Sequence, residues 1–99
     1  MKNIINEFLS HLKYERGYSE NTVLSYRRDL CQFENYLRMQ GVVSVSGISR
    51  THISSFITRL MSIGMKASSI ERHIAAIKSF FGYLIREGRL SSDPASDIE

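Results

Sequence analysis

The sequence predicts an all-α domain of four helices, and three observations carry that expectation. Gly17, Gly41, Gly64 and Gly88 each follow a stretch whose apolar residues recur at steps of three and four, the place where a residue without Cβ ends a helix at least cost. No segment alternates apolar and polar residues long enough to compete as a strand. The chain has 99 residues, 42% of them hydrophobic, with five Phe, five Tyr and no Trp, which is enough for one modest core and too little for two.

Each helix has its own signature. In the first, Ile5, Phe8, Leu9 and Leu12 form the stripe and Asn3 is the expected cap. In the second, Val23, Tyr26, Leu30, Phe33 and Leu37 form it, Ser19 is the N-cap, and Glu20 suits the positive end of the helix dipole. The third carries Ile53, Phe56, Ile57 and Leu60 after a cap at Ser49 or Thr51. The fourth carries Ile70, Ile74, Ile77, Phe81 and Leu84 after Ser68, with Glu71 three residues on completing a capping box. The stops give helices of about 13, 21, 13 and 20 residues. Val42-Val43-Ser44-Val45 is β-branched, but it is short and lies between Gly41 and Gly47, so it reads as the one long connection. Residues 1–89 form the domain. Residues 90–99, small, polar and broken by Pro94, read as the start of a linker, which makes the chain the expected amino-terminal piece of something longer.

Composition excludes several functions. No apolar run reaches the roughly 18 residues of a membrane span, and the start lacks the apolar stretch of a signal peptide, so a cytoplasmic protein without membrane attachment is expected. Cys31 is alone, so no internal disulfide forms. His11, His52 and His73 fall on three different predicted helices with no metal-ligand spacing; they read as surface histidines, and no metal or cofactor is expected. There is no glycine-rich phosphate loop and no Gly-x-Ser-x-Gly elbow, and Tyr26 on the apolar stripe reads as core rather than nucleophile; no catalytic residue is assigned. Residues 1–89 hold thirteen basic against seven acidic side chains, a net +6, while residues 90–99 are acidic. A basic domain of this size suits a polyanion.

Two faces point outward. Opposite its stripe the second helix carries Asn21, Ser25, Arg28, Gln32 and Asn35, groups that suit phosphates and base edges, and its start exposes unpaired N–H groups beside Ser19 and Thr22. The outward side of the fourth carries Ser68, Ser69, Arg72, Ala75, Ala76, Ser79 and Arg86, with His73 and Lys78 at its flanks. Small residues between cations would let that helix approach a groove wall, or equally accept another helix.

The run from Ser19 through Leu30, SENTVLSYRRDL, with Phe33 and Tyr36-Leu37, resembles the S-x-N-T-x-x-x-Y-R-R-D-L-x-x-F-x-x-Y-L signature of the amino-terminal core-binding domain of tyrosine recombinases, especially the Xer-type and phage-integrase branch. Residues 68–84, SSIERHIAAIKSFFGYL, resemble that family's last long helix, and Asp93-Pro94-Ala95 resembles the N-P-A that opens its interdomain linker. The resemblance covers essentially the whole chain. It implies a four-helix SAM-like orthogonal bundle whose second and fourth helices cross and enter the major groove beside the cleavage site. It also implies a further, carboxy-terminal domain bearing the tyrosine nucleophile, so that this chain by itself lacks strand cleavage. Carried over residue by residue, it puts Ser19, Asn21 and Thr22 on phosphates, Ser25 and Arg28 toward the groove, and Ser68, Ser69, Arg72, Ala76 and Lys78 on DNA from the fourth helix. Lys78 stands where many relatives have Arg, and Asp93 where many have Asn. The implied partners are double-stranded DNA and recombinase protomers of the same or a related kind in a synaptic complex, the chain alone being a monomer. The competing reading is a helical protein-interaction module with no nucleic-acid role. A helix-turn-helix regulator fits less well, because the connection from Gly41 to Ser49 is longer than that motif's turn.

Overall fold

The computed structural model describes residues 1–99, all of the chain, as helices and turns without a strand. Helix α1 spans Lys2–Ser10 and widens into a π turn over His11–Glu15; α2 spans Glu20–Met39, α3 Arg50–Ser62 and α4 Ala67–Arg86, with a single 3-10 turn at Val45–Gly47 before α3. The four expected helices are present, and the β-branched stretch is the connection between α2 and α3. Helix α4 packs against the other three, most extensively against α2.

The glycine stops are real and share one mechanism. Gly17, Gly41, Gly64 and Gly88 are the residues with positive φ, between 68° and 80°. After α2, α3 and α4 the glycine N–H bonds three residues back and the next residue's N–H bonds five back, Val42 to Leu37, Met65 to Leu60 and Arg89 to Leu84, which caps the last carbonyls. After α1 the π turn inserts one residue, so Tyr18 N–H reaches six back, to Leu12.

Two of the caps differ from expectation. Ser19 caps α2, its Oγ accepting from Thr22 N–H at 3.2 Å, as expected. Helix α1 starts at Lys2, ahead of Asn3. Helix α4 starts at Ala67 with Lys66 in the cap position and no side-chain cap, so Ser68 and Glu71 lie inside the helix and form no capping box. The physical reason is the turn before it: once Met65 is tied to Leu60, only Lys66 is left extended before the helix begins. For α3 the cap is Ser49, and His52 completes the box, its Nδ1 accepting from Ser49 N–H at 3.0 Å where a glutamate would ordinarily stand.

The core is aromatic and aliphatic. Phe8, Phe33, Phe80 and Phe81 are fully buried with Leu9, Leu12, Leu30, Leu37, Ile53, Ile77 and Leu84. Phe8 meets Phe80 edge-on at 5.5 Å between centroids, joining α1 to α4, and Phe33 meets Phe56 at 5.2 Å, joining α2 to α3. Residues 90–99 are more ordered than their composition implies. Asp93 Oδ1 accepts from Ala95 N–H at 2.8 Å, and this turn buries Ala95 and Ile98 in the same core. Ile98→Ala is therefore expected to cost about 2 kcal/mol, the low end for a buried isoleucine because it sits at the core's edge. Ser96→Ala, on an exposed neighbour, should change stability by less than about 0.5 kcal/mol in the same urea titration.

Candidate nucleic-acid interface

A helix turns about 100° per residue, so Asn21, Ser25, Arg28, Gln32 and Asn35 share one side of α2, and Ser68, Arg72, Ala75 and Ser79 one side of α4. The two stripes come together where the margins of α2 and α4 meet. Where they meet, Arg72 donates from Nε and Nη2 to the two oxygens of Asp29, at 2.8 and 2.9 Å. Asp29 is 1% exposed, while 45% of the Arg72 side chain remains open to solvent. Beside them His73 is also buried: its Nδ1 donates to the Ser69 carbonyl at 2.8 Å, and its Nε2 lies 2.9 Å from Gln32 Oε1 and 3.3 Å from Asp29 Oδ1. One polar knot thus joins both stripes.

This arrangement corrects three readings. Ala76, expected on the outward face, is fully buried, a small residue that lets α4 lie close against its neighbours, and it cannot touch DNA. His73, expected at the surface, is 1% exposed. Arg72 is outward only in part, since its inner edge is committed to Asp29. The common cause is angular. Arg72, His73 and Ala76 sit at the margin or inside of the stripe that faces α2, where a wheel drawn from apolar residues alone puts the border too far in.

The other candidates divide by what already engages them. Asn21, Arg28, Ser68 and Lys78 are exposed. Ser25 is half-buried. Ser19 and Thr22 hold each other at the start of α2, with Oγ to Oγ1 2.9 Å apart. Ser69 is half-buried and gives its carbonyl to His73. Lys78, six residues beyond Arg72, lies roughly 120° round the helix and flanks the stripe. Arg27 is drawn off the face by a 2.9 Å bond to Asn6 of α1. Alongside the face, a depression of about 210 Å³ brings Arg59 of α3 and Ile63, just after that helix, beside Gln32, Asn35 and Met39.

Asp29 and Gln32 hold the two helix margins together, a role not expected of either from sequence, although Gln32 is expected on the outward face of α2. The available signal was an acid at the edge of an apolar stripe on a helix whose partner carries Arg and His at its own edge. Burial and the neighbouring Tyr18 and Asp29 raise the Tyr26 phenol above its ordinary pKa, which is the opposite of an activated nucleophile and agrees with a packing role. The bond to Asp29 likewise raises the Arg72 pKa, so Arg72 stays charged. The three histidines remain apart: His11 pairs with Glu15, His52 with Ser49 and His73 with Gln32. Removing Arg72 would strand a buried carboxylate. Arg72→Ala should therefore cost about 2 kcal/mol in urea unfolding, less than for a wholly buried pair because half the arginine is solvated, whereas Arg28→Ala should stay within about 0.5 kcal/mol.

Residues 5–88 match the family described as phage integrase, N-terminal SAM-like domain. A tyrosine recombinase XerD from Listeria monocytogenes is 38% identical over 100 residues, covering all of this chain and 34% of its own length. The XerD of Oceanobacillus iheyensis is 41% identical over 96 residues, covering 96% of this chain and 32% of its own. A XerC from Herpetosiphon aurantiacus is 35% identical over 99 residues, covering all of this chain and 32% of its own. The chain therefore spans about a third of the length of these curated relatives. With four helices in place and the match running from the first core residue of α1 to the glycine that ends α4, this chain belongs to the phage integrase N-terminal SAM-like domain family.

Proposed function

We propose that this domain holds duplex DNA beside the cleavage site of a site-specific tyrosine recombinase, through the joined faces of α2 and α4, the remainder of such a protein supplying strand cleavage. The observation that carries this reading is the joining, at the Asp29–Arg72 pair, of two polar stripes, Asn21, Ser25, Arg28 and Gln32 on α2 and Ser68, Arg72 and Ser79 on α4. Its side chains are short amides, hydroxyls and cations, the donors that phosphates and base edges accept. The net charge of +6 over residues 1–89 has the sign that a polyanion requires. In this reading Asn21 and the start of α2 meet the backbone, Arg28 and Lys78 neutralise phosphates, and recombinase protomers of the same or a related kind share the DNA.

One small module makes few phosphate contacts, so the chain alone should bind duplex DNA with a Kd on the order of 10⁻⁴ to 10⁻⁶ M, falling steeply between about 50 and 200 mM salt. Arg28→Ala with Lys78→Ala should lower the slope of log affinity against log salt by roughly two, and Lys2→Ala with Lys13→Ala, the same charge change on α1 and the π turn after it, should lower it much less. Equal effects from both pairs would mean diffuse attraction. Salt-insensitive binding, or none at low salt, would favour a protein-interaction module instead.

A further inference from the structure

The Asp29–Arg72 pair has a geometry that charge neutralisation alone does not need. A guanidinium has five N–H donors in a fixed planar fork. Asp29 takes one from Nε and one from Nη2, leaving the second Nη2 hydrogen and both on Nη1 without a partner inside the protein. The second Nη2 hydrogen and one of those on Nη1 form the end-on edge of the fork, and 45% of the side chain is open to solvent. Arginine normally loses several rotatable bonds when it reads a ligand, yet here the carboxylate already fixes the plane, and Asp29 is itself held 3.3 Å from the buried His73. The pair is also close to electrically neutral. It therefore adds little to non-specific attraction for phosphates, which depends on net positive charge. A rigid, neutralised fork with a free end-on donor pair is suited to two acceptors held side by side, and the major-groove edge of guanine offers that arrangement in O6 and N7.

We propose that Arg72 reads one guanine in the major groove and that Asp29 is the positioning residue that aims it. This rests on the reading of the α2–α4 face as a DNA interface. Asp29 touches no DNA and acts only by fixing the guanidinium plane. The proposal separates two tasks on one surface: Arg28 and Lys78 supply the salt-dependent attraction, while the Asp29–Arg72 pair supplies preference for sequence.

The test is selection of bound duplexes by the 99-residue chain from a library randomised at its centre, at about 50 mM salt, alongside a salt titration on the unselected library. The wild-type chain should enrich guanine at one position by roughly tenfold. Arg72→Lys keeps the charge but lacks the fork, so it should keep the salt slope and lose that enrichment. Asp29→Asn should lose the enrichment too, while its salt slope rises, because Arg72 is no longer neutralised. An opposite pair of changes in one variant is not what a merely structural defect gives. If Asp29→Asn fails to show a cooperative thermal transition, Arg72→Lys decides the matter through its enrichment. Retained guanine enrichment in Arg72→Lys, or in a folded Asp29→Asn, overturns the proposal. A wild-type chain that retains library DNA without preferring guanine at any position overturns this proposal alone, and one that retains no DNA overturns the DNA-binding reading along with it.

Discussion

The carboxylate of Asp29 is the constraint around which the rest of the surface is organised. A carboxylate that is 1% exposed cannot remain ionised in an apolar core without partners, and its partners must come from the facing helix. That requirement fixes the relative register of α2 and α4: Arg72 must stand beside Asp29 and His73 beside Gln32, so neither helix can slide by a turn without breaking both. Hydrophobic burial would tolerate such a slide better, since one leucine-sized residue replaces another at similar cost. The apolar residues make the bundle stable, and the ion pair makes it single-valued.

The aromatic contacts act differently. Phe8 against Phe80 and Phe33 against Phe56 tie α1 and α3 to the α2–α4 pair from their own sides. The outer helices thus serve as supports, leaving the polar margins of the inner pair free of overlying structure. The cap at Ser49, with His52 in the place of an acid, uses up donors and acceptors that would otherwise be left over at the start of α3.

Much of the fold was legible because the chain marks its helix ends with residues that have few alternatives. A left-handed turn selects glycine strongly, so Gly41, Gly64 and Gly88 could be read directly. Starts were harder. Any extended residue can precede a helix, and at α4 the preceding turn, not a side chain, decided that Lys66 would hold the position. On the candidate face, exposure was legible where it follows from helix angle, as for Asn21 and Arg28, and not where a polar residue finds a buried partner on another helix. Nothing local to Asp29 announces that Arg72 lies across from it, 43 residues on. The tail shows a related limit: Asp93, Ala95 and Ile98 look like linker residues by composition, and only the fold shows two of them reaching the core.

The π turn at the end of α1 has a consequence in time rather than in space. Its wider ring leaves Arg16 N–H bonded five residues back, to His11 O, and Tyr18 six back. His11 Nε2 within the same turn is buried without a hydrogen-bond partner. A segment with looser backbone bonds and an unsatisfied donor or acceptor gains less by staying closed than the regular turns around it. Amide protons of residues 15–18 should therefore exchange with solvent ahead of those in the middle of α2 and α4, so that the corner between α1 and α2 opens while the polar face stays folded.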